Sequence, residues 1–355
     1  AEFMGVKVDP VDELPQGQLE PITEPIKVRG KIEAGPAGYR LDGRLNDSYT
    51  AVSLLLDNKI EVFRVDLKTA SLNPGDFLVP SAPLALLQNI SEKTGVDFLP
   101  LATFPEKGFH RVRRLRVGLY QRYYGGNMDE GWTRLILEKF SLPYLTVRDA
   151  DLKSGQLLKK IDLLIIPADS TAMITGELPD SSRRFLNTPP EYRSGLGKEG
   201  VEKLKEFVGR GGILVCLGEA SNFAVEKFNL NLKNVVAGLD PREFFCPGST
   251  LKAEFNNQHP LTYGLPEQGL VLFYSSPAFE ILPSENSEKY RVVVRYAERE
   301  LLQSGWLIGE KHLSRKAAMI EVDYGQGQII LIGLRCQHRA QTHGTFKLLF
   351  NTFIR

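Results

Sequence analysis

The chain has 355 residues, of which 42% are hydrophobic and 25% are charged, and its formal net charge is +1. This composition is ordinary for a globular protein, and the length predicts more than one domain. A net charge near zero gives no global field that would favour nucleic acid or an anionic membrane surface. No apolar run reaches the roughly 20 residues that span a bilayer. Nucleic acid and a membrane span are therefore excluded, and a peptide, a small molecule or a second copy of the chain remains as a candidate partner.

The N-terminal part of the chain predicts an arm followed by a small domain. The first 38 residues are rich in Pro, Gly, Glu and Lys and show little periodicity, which is typical of a linker or an extended arm. Residues 39 to 108 predict a small α/β domain. Its first helix has Asn46 or Asp47 as a candidate N-cap, and its second helix is expected to end at Gly95.

Residues 109 to 355 predict a larger α/β domain. Strands and helices alternate from LRVGLY through PYLTV, IDLLIIP and ILVCLG, which is typical of a parallel sheet covered by helices on both faces. After Leu230 strands dominate, and KAAMIEVDYGQGQIILIGL predicts a hairpin. The segment THGTFKLLFNTFI predicts a closing helix with Thr342 as its cap.

The three cysteines, Cys216, Cys246 and Cys336, show no CxxC spacing, so neither a structural zinc site nor a disulfide framework is predicted. Cys216 and Cys336 lie in apolar, strand-like runs, where a cysteine is most often a small buried hydrophobic residue.

The stretch GRGGILVCLGEAS predicts a helix end, a buried strand and a tight turn into another helix. Together with the order of elements, it resembles the class I glutamine amidotransferase-like fold, a flavodoxin-like three-layer sandwich. In catalytic members of that fold a cysteine stands at the turn, where a helix N-terminus and backbone N–H groups stabilise charge. Here the turn falls at Gly218 or Glu219, and Cys216 comes too early. The resemblance therefore implies the scaffold without its nucleophile.

A second resemblance concerns the bacterial zinc carboxypeptidase-like proteins. MDEGWTR, RDADLKSGQL, PPEYRSGLGKEGV and GLRCQHRAQTHGTFKLLFN are similar to the region that follows their catalytic domain. This implies an upstream carboxypeptidase-like domain as partner, an exported or periplasmic location, and zinc as a cofactor of that missing domain only. None of the five histidines begins the HxxE motif that holds zinc in those peptidases, so neither a metal site nor a cofactor is predicted for this chain.

Ligands of open α/β sheets bind at the carboxyl ends of the strands, and polar residues follow several predicted strands. Arg339 is suited to clamping a carboxylate, and the histidines of QHRAQTH titrate near neutral pH. Simpler structural roles, such as helix caps, ion pairs and ties to the last helix, stay open for all of them. The candidate ligand-binding residues are Asp129, Glu130, Arg148, Glu191, Glu219, His338, Arg339 and His343.

Two functions are compatible with these patterns. The first is a non-catalytic accessory or binding region of a zinc carboxypeptidase-like protein. The alternative is a cryptic hydrolase or a small-ligand-binding module whose site contains Glu219, His338 and Arg339. A phosphate-binding loop at QRYYGG is disfavoured, because it lacks the GxGxxG pattern and two carboxylates follow it.

Overall fold

The computed structural model describes residues 4, 6, 9, 11–14, 16–18, 20–24, 26, 28–177, 188, 189 and 192–355. These residues form a small sheet of five strands and a large sheet of twelve strands. Among them, no helix is both long and apolar enough to cross a bilayer.

The small sheet is antiparallel, with strand order β4-β1-β3-β2-β5. Two helices connect its strands, and the second ends at Gly95, whose φ of 71° provides the predicted left-handed cap. The predicted cap of the first helix is wrong: Leu45 is the N-cap residue, and the Asn46 amide instead donates to the His343 carbonyl at 2.8 Å. The elements are β1 Tyr39–Leu41, α1 Asn46–Asp57, β2 Phe63–Val65, β3 Phe77–Val79, α2 Leu84–Thr94, β4 Leu99–Pro100 and β5 Phe109–Arg111.

The boundary at residue 108 stays a prediction. The last strand of the small sheet, β5, begins just beyond it and pairs with β2.

One half of the large sheet is parallel, with strand order β7-β6-β8-β9-β17. Numbered along the chain, this is the 2-1-3-4-5 order of flavodoxin-like sheets. Its elements are β6 Val117–Tyr120, α3 Met128–Lys139, β7 Tyr144–Val147, α4 Asp149–Lys153, α5 Leu157–Lys160, β8 Leu163–Ile166, α6 Thr171–Thr175, α7 Gly197–Gly209, β9 Ile213–Leu217, α8 Ala220–Lys227, β17 Gly327–Ile332 and α9 Phe346–Phe350.

The other half is antiparallel and continues from β17 in the order β16-β14-β11-β12. The predicted hairpin is β16 and β17, which pair in register from Met319 and Ile332 to the turn. The elements are β10 Leu232–Asn234, β11 Ser249–Phe255, β12 Gln268–Phe273, β13 Phe279–Ile281, β14 Tyr290–Tyr296, β15 Leu302–Ser304 and β16 Ala317–Tyr324.

The large sheet is buried on both faces. Side chains alternate along a strand, so that Leu163 and Ile165 of β8 join one core while Leu164 and Ile166 join the other. Helices α3 and α9 cover the first face, and α7 and α8 cover the second. The predicted fold class, a flavodoxin-like and class I glutamine amidotransferase-like α/β sandwich with a strand-rich C-terminal part, is confirmed.

The small sheet packs against the first face of the large one through α1 and α9. The Tyr49 ring lies 5.4 Å from the Phe350 ring, centroid to centroid. The Tyr49 hydroxyl donates to Asn351 Oδ1 at 2.5 Å. These contacts join the small sheet to the first core of the large one.

Two predicted helices differ from the structure. DADLKSGQLLKK forms two short helices, α4 and α5, separated at Gly155, where φ is +67°. A 3₁₀ turn, His343–Thr345, follows Thr342, and the closing α-helix begins only at Phe346. Thr342 stands at the N-cap position of that turn, but its hydroxyl donates to the Cys336 carbonyl at 2.7 Å and makes no capping hydrogen bond.

Candidate functional site

The corner after β9 carries no side chain. Gly218 occupies it with a φ of +50°, and a Cβ there would lie 3.0 Å from the Ala168 Cβ and 3.3 Å from Arg335 Nη1. The strand residue Cys216 is fully buried, as predicted, and burial raises the pKa of its thiol. A buried neutral thiol is not a nucleophile, so this corner presents no reactive sulfur, and an added side chain would be in tight contact with Ala168 and Arg335.

A cleft of about 730 Å³ opens beside this corner. Residues that directly follow β6, β8 and β17 line it, so it lies at the carboxyl ends of the parallel strands. Strands β6 and β8 flank the point where the strand order reverses, which is where open α/β sheets bind their ligands. Its principal polar and aromatic lining residues are Arg122, Asn127, Asp129, Trp132, Tyr274, Arg335, His338 and Arg339.

Two of the three arginines in the cleft pair with carboxylates. Arg122 Nε lies 2.5 Å from Asp169 Oδ2, and Arg335 Nη1 lies 2.6 Å from Asp129 Oδ2. Arg335 Nε also donates to the Tyr274 carbonyl at 2.7 Å. Burial raises the pKa of the Asp129 carboxyl, and Arg335 opposes that shift. These ion pairs fix the planes of two guanidinium groups in the wall of the cleft.

The N-terminus of α3 is occupied by its own cap. Asn127 Oδ1 accepts from the backbone N–H groups of Asp129 and Glu130, at 2.9 and 3.3 Å. The Gln337 amide donates to Asp129 Oδ1 and, at 3.1 Å, to Thr133 Oγ1. The helix N-terminus therefore binds residues of this chain, and the ligand-directed groups of the cleft are side chains.

The third arginine is free of such partners. Arg339 is exposed and makes no hydrogen bond or ion pair with any residue that the structure describes. Its neighbour His338 packs on Tyr274, with ring centroids 5.6 Å apart. Burial, together with Arg335 and Arg339, lowers the pKa of His338, so its imidazole is neutral at pH 7. An unpaired guanidinium at a cleft edge is a ready partner for a carboxylate.

The structure thus brings three of the predicted site residues together, namely Asp129, His338 and Arg339. Glu219 is partly buried beside the first turn of α8, makes no side-chain hydrogen bond with the described residues and does not line the cleft. The Glu219, His338 and Arg339 constellation of the hydrolase hypothesis is therefore not assembled in this cleft.

The remaining predicted site residues lie elsewhere. Glu130 pairs with Arg134 on α3, and the Arg148 guanidinium lies 4.0 Å from the centroid of the Tyr123 ring. His343 stacks on Phe346 and lines a different cleft, next to α1. Glu191 falls outside the described residues.

The sequence reasoning missed four residues of the cleft: Arg122, Trp132, Tyr274 and Arg335. The signal for two of them was present, since Arg122 and Arg335 each stand two or three residues beyond the end of a parallel strand, where ligands bind. The two aromatic residues carried no such positional signal. No group of acidic, histidine and cysteine side chains that could hold a metal ion occurs among the described residues.

Comparison with known proteins leaves the family open. No protein family matches the chain, and no curated protein matches it. Several solved structures do match at low similarity. A ThuA-like protein from Bacteroides uniformis is 14% identical, over 70% of this chain and 94% of its own, with a TM-score of 0.39. A cytoplasmic protein from Salmonella typhimurium is 16% identical, over 67% of this chain and 98% of its own, with a TM-score of 0.40.

A β-galactosidase from Bacillus circulans is similar over only 32% of its own length, with 8% identity and a TM-score of 0.38. None of these proteins is a carboxypeptidase, and the predicted relationship to zinc carboxypeptidase-like proteins is wrong. The fold assignment rests on the strand order of the chain itself.

Proposed function

We propose that this protein is a non-catalytic module that binds a small anionic molecule with a ring-shaped or planar body in the cleft beside Gly218. The observation that carries the proposal is the pairing of a corner without a side chain with a cleft that holds an unpaired arginine. The cleft lies at the carboxyl ends of the parallel strands, where this fold binds ligands, and the corner at Gly218 has no nucleophile.

The charge balance of the cleft supports an anion. Among the described residues, three guanidinium groups line the cleft, and the two carboxylates beside them, those of Asp129 and Asp169, are both already paired. Arg339 is left with one uncompensated positive charge at the edge of the cleft. A carboxylate that accepts two N–H groups from Arg339 would balance that charge.

The aromatic residues that line the cleft favour a ligand with a ring or another planar group. Trp132 and Tyr274 contribute to the same walls as the arginines, and the Arg335 guanidinium lies 5.6 Å from the centroid of the Tyr274 ring. Flat apolar surfaces of this kind stack on sugar or aryl rings. The ligand class is therefore a small ring acid, such as a sugar acid or an aryl carboxylate.

Hydrolysis has less support. The described residues that line the cleft include no Ser, Thr, Cys or Lys to act as a nucleophile, and the Asp129 carboxylate is already bound by Arg335 and Gln337. Glu219, the carboxylate of the hydrolase hypothesis, does not line the cleft.

Isothermal titration calorimetry with glucuronate, benzoate, glucose and inorganic phosphate tests the proposal. We expect glucuronate or benzoate to bind the unmodified protein, and glucose to bind far more weakly because it lacks the charge. In Arg339→Gln we expect the affinity for the bound acid to fall about 10-fold or more, since a hydrogen bond to a charged group contributes about 1.5–3 kcal/mol.

Arg299→Gln is the matched control, because Arg299 is exposed and does not line the cleft. The proposal fails if neither ring acid binds, or if Arg339→Gln binds the acid as tightly as the control does.

A further inference from the structure

A second cavity, of about 540 Å³, lies between the small sheet and the large one. Gln328 lines it at the beginning of β17, whereas the cleft described above lies beyond the carboxyl end of the same strand. The two spaces share no lining residue among those that the structure describes. The cavity is therefore a separate candidate site.

Arg64 places a buried positive charge in the wall of this cavity. It is 1% exposed, and its Nη1 donates to the Ile354 carbonyl at 2.9 Å. Its Nη2 donates to Asn351 Oδ1 at 2.7 Å and to the Tyr49 hydroxyl at 2.8 Å. All of these acceptors are neutral, and Arg64 forms no ion pair with a carboxylate of the described residues. A buried charge without a counter-ion is costly.

One N–H group of Arg64 is also unused. Its Nε is buried and has no hydrogen-bond partner. Leaving a buried donor unpaired costs about 1–3 kcal/mol, and more when the group is charged. An acceptor in the cavity would remove this cost.

Arg355, which lines the same cavity, also has a buried N–H group without a hydrogen-bond partner. Its Nη1 donates to Gln328 Oε1 at 2.6 Å, whereas its Nη2 is buried without a hydrogen bond. That Nη2 lies 3.6 Å from Glu321 Oε1, which is beyond hydrogen-bonding distance. The guanidinium is thus held in place with one N–H group to spare.

Among the described residues that line the cavity, the one carboxylate is already shared. Glu321 accepts from Arg291 Nε at 2.9 Å and lies 3.1 Å from His259 Nε2. Arg291 also pairs with Asp323 at 2.5 Å. His110, a further lining residue, pairs with Asp66 at 2.8 Å. After these pairs are counted, Arg64 and Arg355 remain without a hydrogen-bonded carboxylate.

We infer that this cavity binds a second ligand, a carboxylate with a short apolar chain, which pairs with the guanidinium groups of Arg64 and Arg355. Both groups line the cavity, and neither has a hydrogen-bonded carboxylate among the described residues. Pro260, Leu261 and Ile354 line the cavity and supply an apolar wall for the chain. The Glu321 carboxylate disfavours a doubly charged phosphate at the same place.

Calorimetry with butyrate and with butyramide, its uncharged analogue of the same shape, tests the inference on the unmodified protein. We expect butyrate to bind and butyramide to bind at least about 10-fold more weakly, because a charge-assisted hydrogen bond is lost. Inorganic phosphate is expected to bind more weakly than butyrate.

Arg355→Gln is expected to weaken butyrate binding about 10-fold. This variant is preferred to a change at Arg64, whose position inside the core endangers folding. The cross-comparison separates the two sites: Arg355→Gln should bind glucuronate or benzoate as the unmodified protein does, and Arg339→Gln should still bind butyrate.

Three results would each overturn the inference. They are the absence of butyrate binding, equal binding of butyrate and butyramide, and butyrate binding that Arg355→Gln leaves unchanged. Tighter binding of phosphate than of butyrate, with the same dependence on Arg355, would overturn the assignment to a carboxylate.

Discussion

Gly218 stands at the turn after β9, where catalytic members of this fold class carry a nucleophile, and it provides no side chain. Its φ of +50° costs a glycine nothing and strains any other residue. An added Cβ would also lie closer to the Ala168 Cβ and the Arg335 guanidinium than ordinary van der Waals contact allows. Both the backbone conformation at this position and the atoms around it therefore favour glycine.

We predict that Gly218→Ala lowers the free energy of unfolding more than Gly238→Ala does. Gly238 has a φ of +72° and nothing within 4 Å of the added Cβ, so its variant measures the backbone cost alone, about 1–2 kcal/mol. Gly218→Ala adds the contact with Ala168 and should cost about 1–3 kcal/mol more. Urea unfolding of both variants measures the difference, and equal losses would show that the corner has room for a side chain.

The residue scale is also where the sequence was least informative about the site. Cys216 could be placed correctly because it stands in a short apolar run next to glycines, which is typical of a buried strand. The ion pair of Arg335 with Asp129 could not be predicted, because the two residues are 206 positions apart in the chain. An ion pair between residues that far apart leaves no local pattern.

At the scale of elements, α7 is a helix whose buried face agrees with the one predicted from its sequence. The predicted apolar face, Val201, Leu204, Phe207 and Val208, is buried against the second face of the large sheet. A 3.6-residue period in a 13-residue helix determines which side is buried. The closing helix α9 shows the opposite case, because it begins later than predicted, after a 3₁₀ turn over His343–Thr345.

Replacing Leu204 by alanine should cost about 2–5 kcal/mol in the free energy of unfolding, because the fully buried side chain leaves a cavity. Glu202→Ala, on the exposed face of the same helix, removes only a surface ion pair with Lys205 and should cost under about 1 kcal/mol. Chemical denaturation followed by circular dichroism compares the two. Similar losses would mean that helix propensity, and not packing, holds α7 in place.

At the scale of the whole molecule, Lys347 ties the two sheets together. It stands on α9, and its Nζ donates to the Arg44 carbonyl at 2.9 Å and to Asn46 Oδ1 at 3.2 Å, next to and within α1. The residue is 6% exposed, and burial lowers the pKa of its amine to about 8 from an ordinary value of 10.5.

This shift predicts how stability depends on pH. Between pH 8 and 10.5 the unfolded chain holds the Lys347 proton more tightly than the folded chain does, so stability rises with pH across that window. The contribution is complete above 10.5 and is lost as the pH falls through 8, with a span of about 3 kcal/mol. Lys347→Met should abolish this rise.

The measurement is the free energy of unfolding in urea at several pH values within that window. Lys93→Met, at an exposed position of α2, is the control and should keep the rise. A rise that survives in Lys347→Met would assign the alkaline stabilisation to another group.

The place of β17 in the large sheet has a consequence for protein synthesis. It is the central strand of the nine-strand path and joins the parallel half to the antiparallel half, yet it is the last of these strands to leave the ribosome. Until it emerges, β9 and β16 are both nascent edges that lack a neighbour. Unpaired apolar strands of this kind are prone to aggregation. During synthesis, the nascent chain is therefore most exposed to aggregation between the completion of β9 and that of β17, and this is the stage at which chaperone binding matters most.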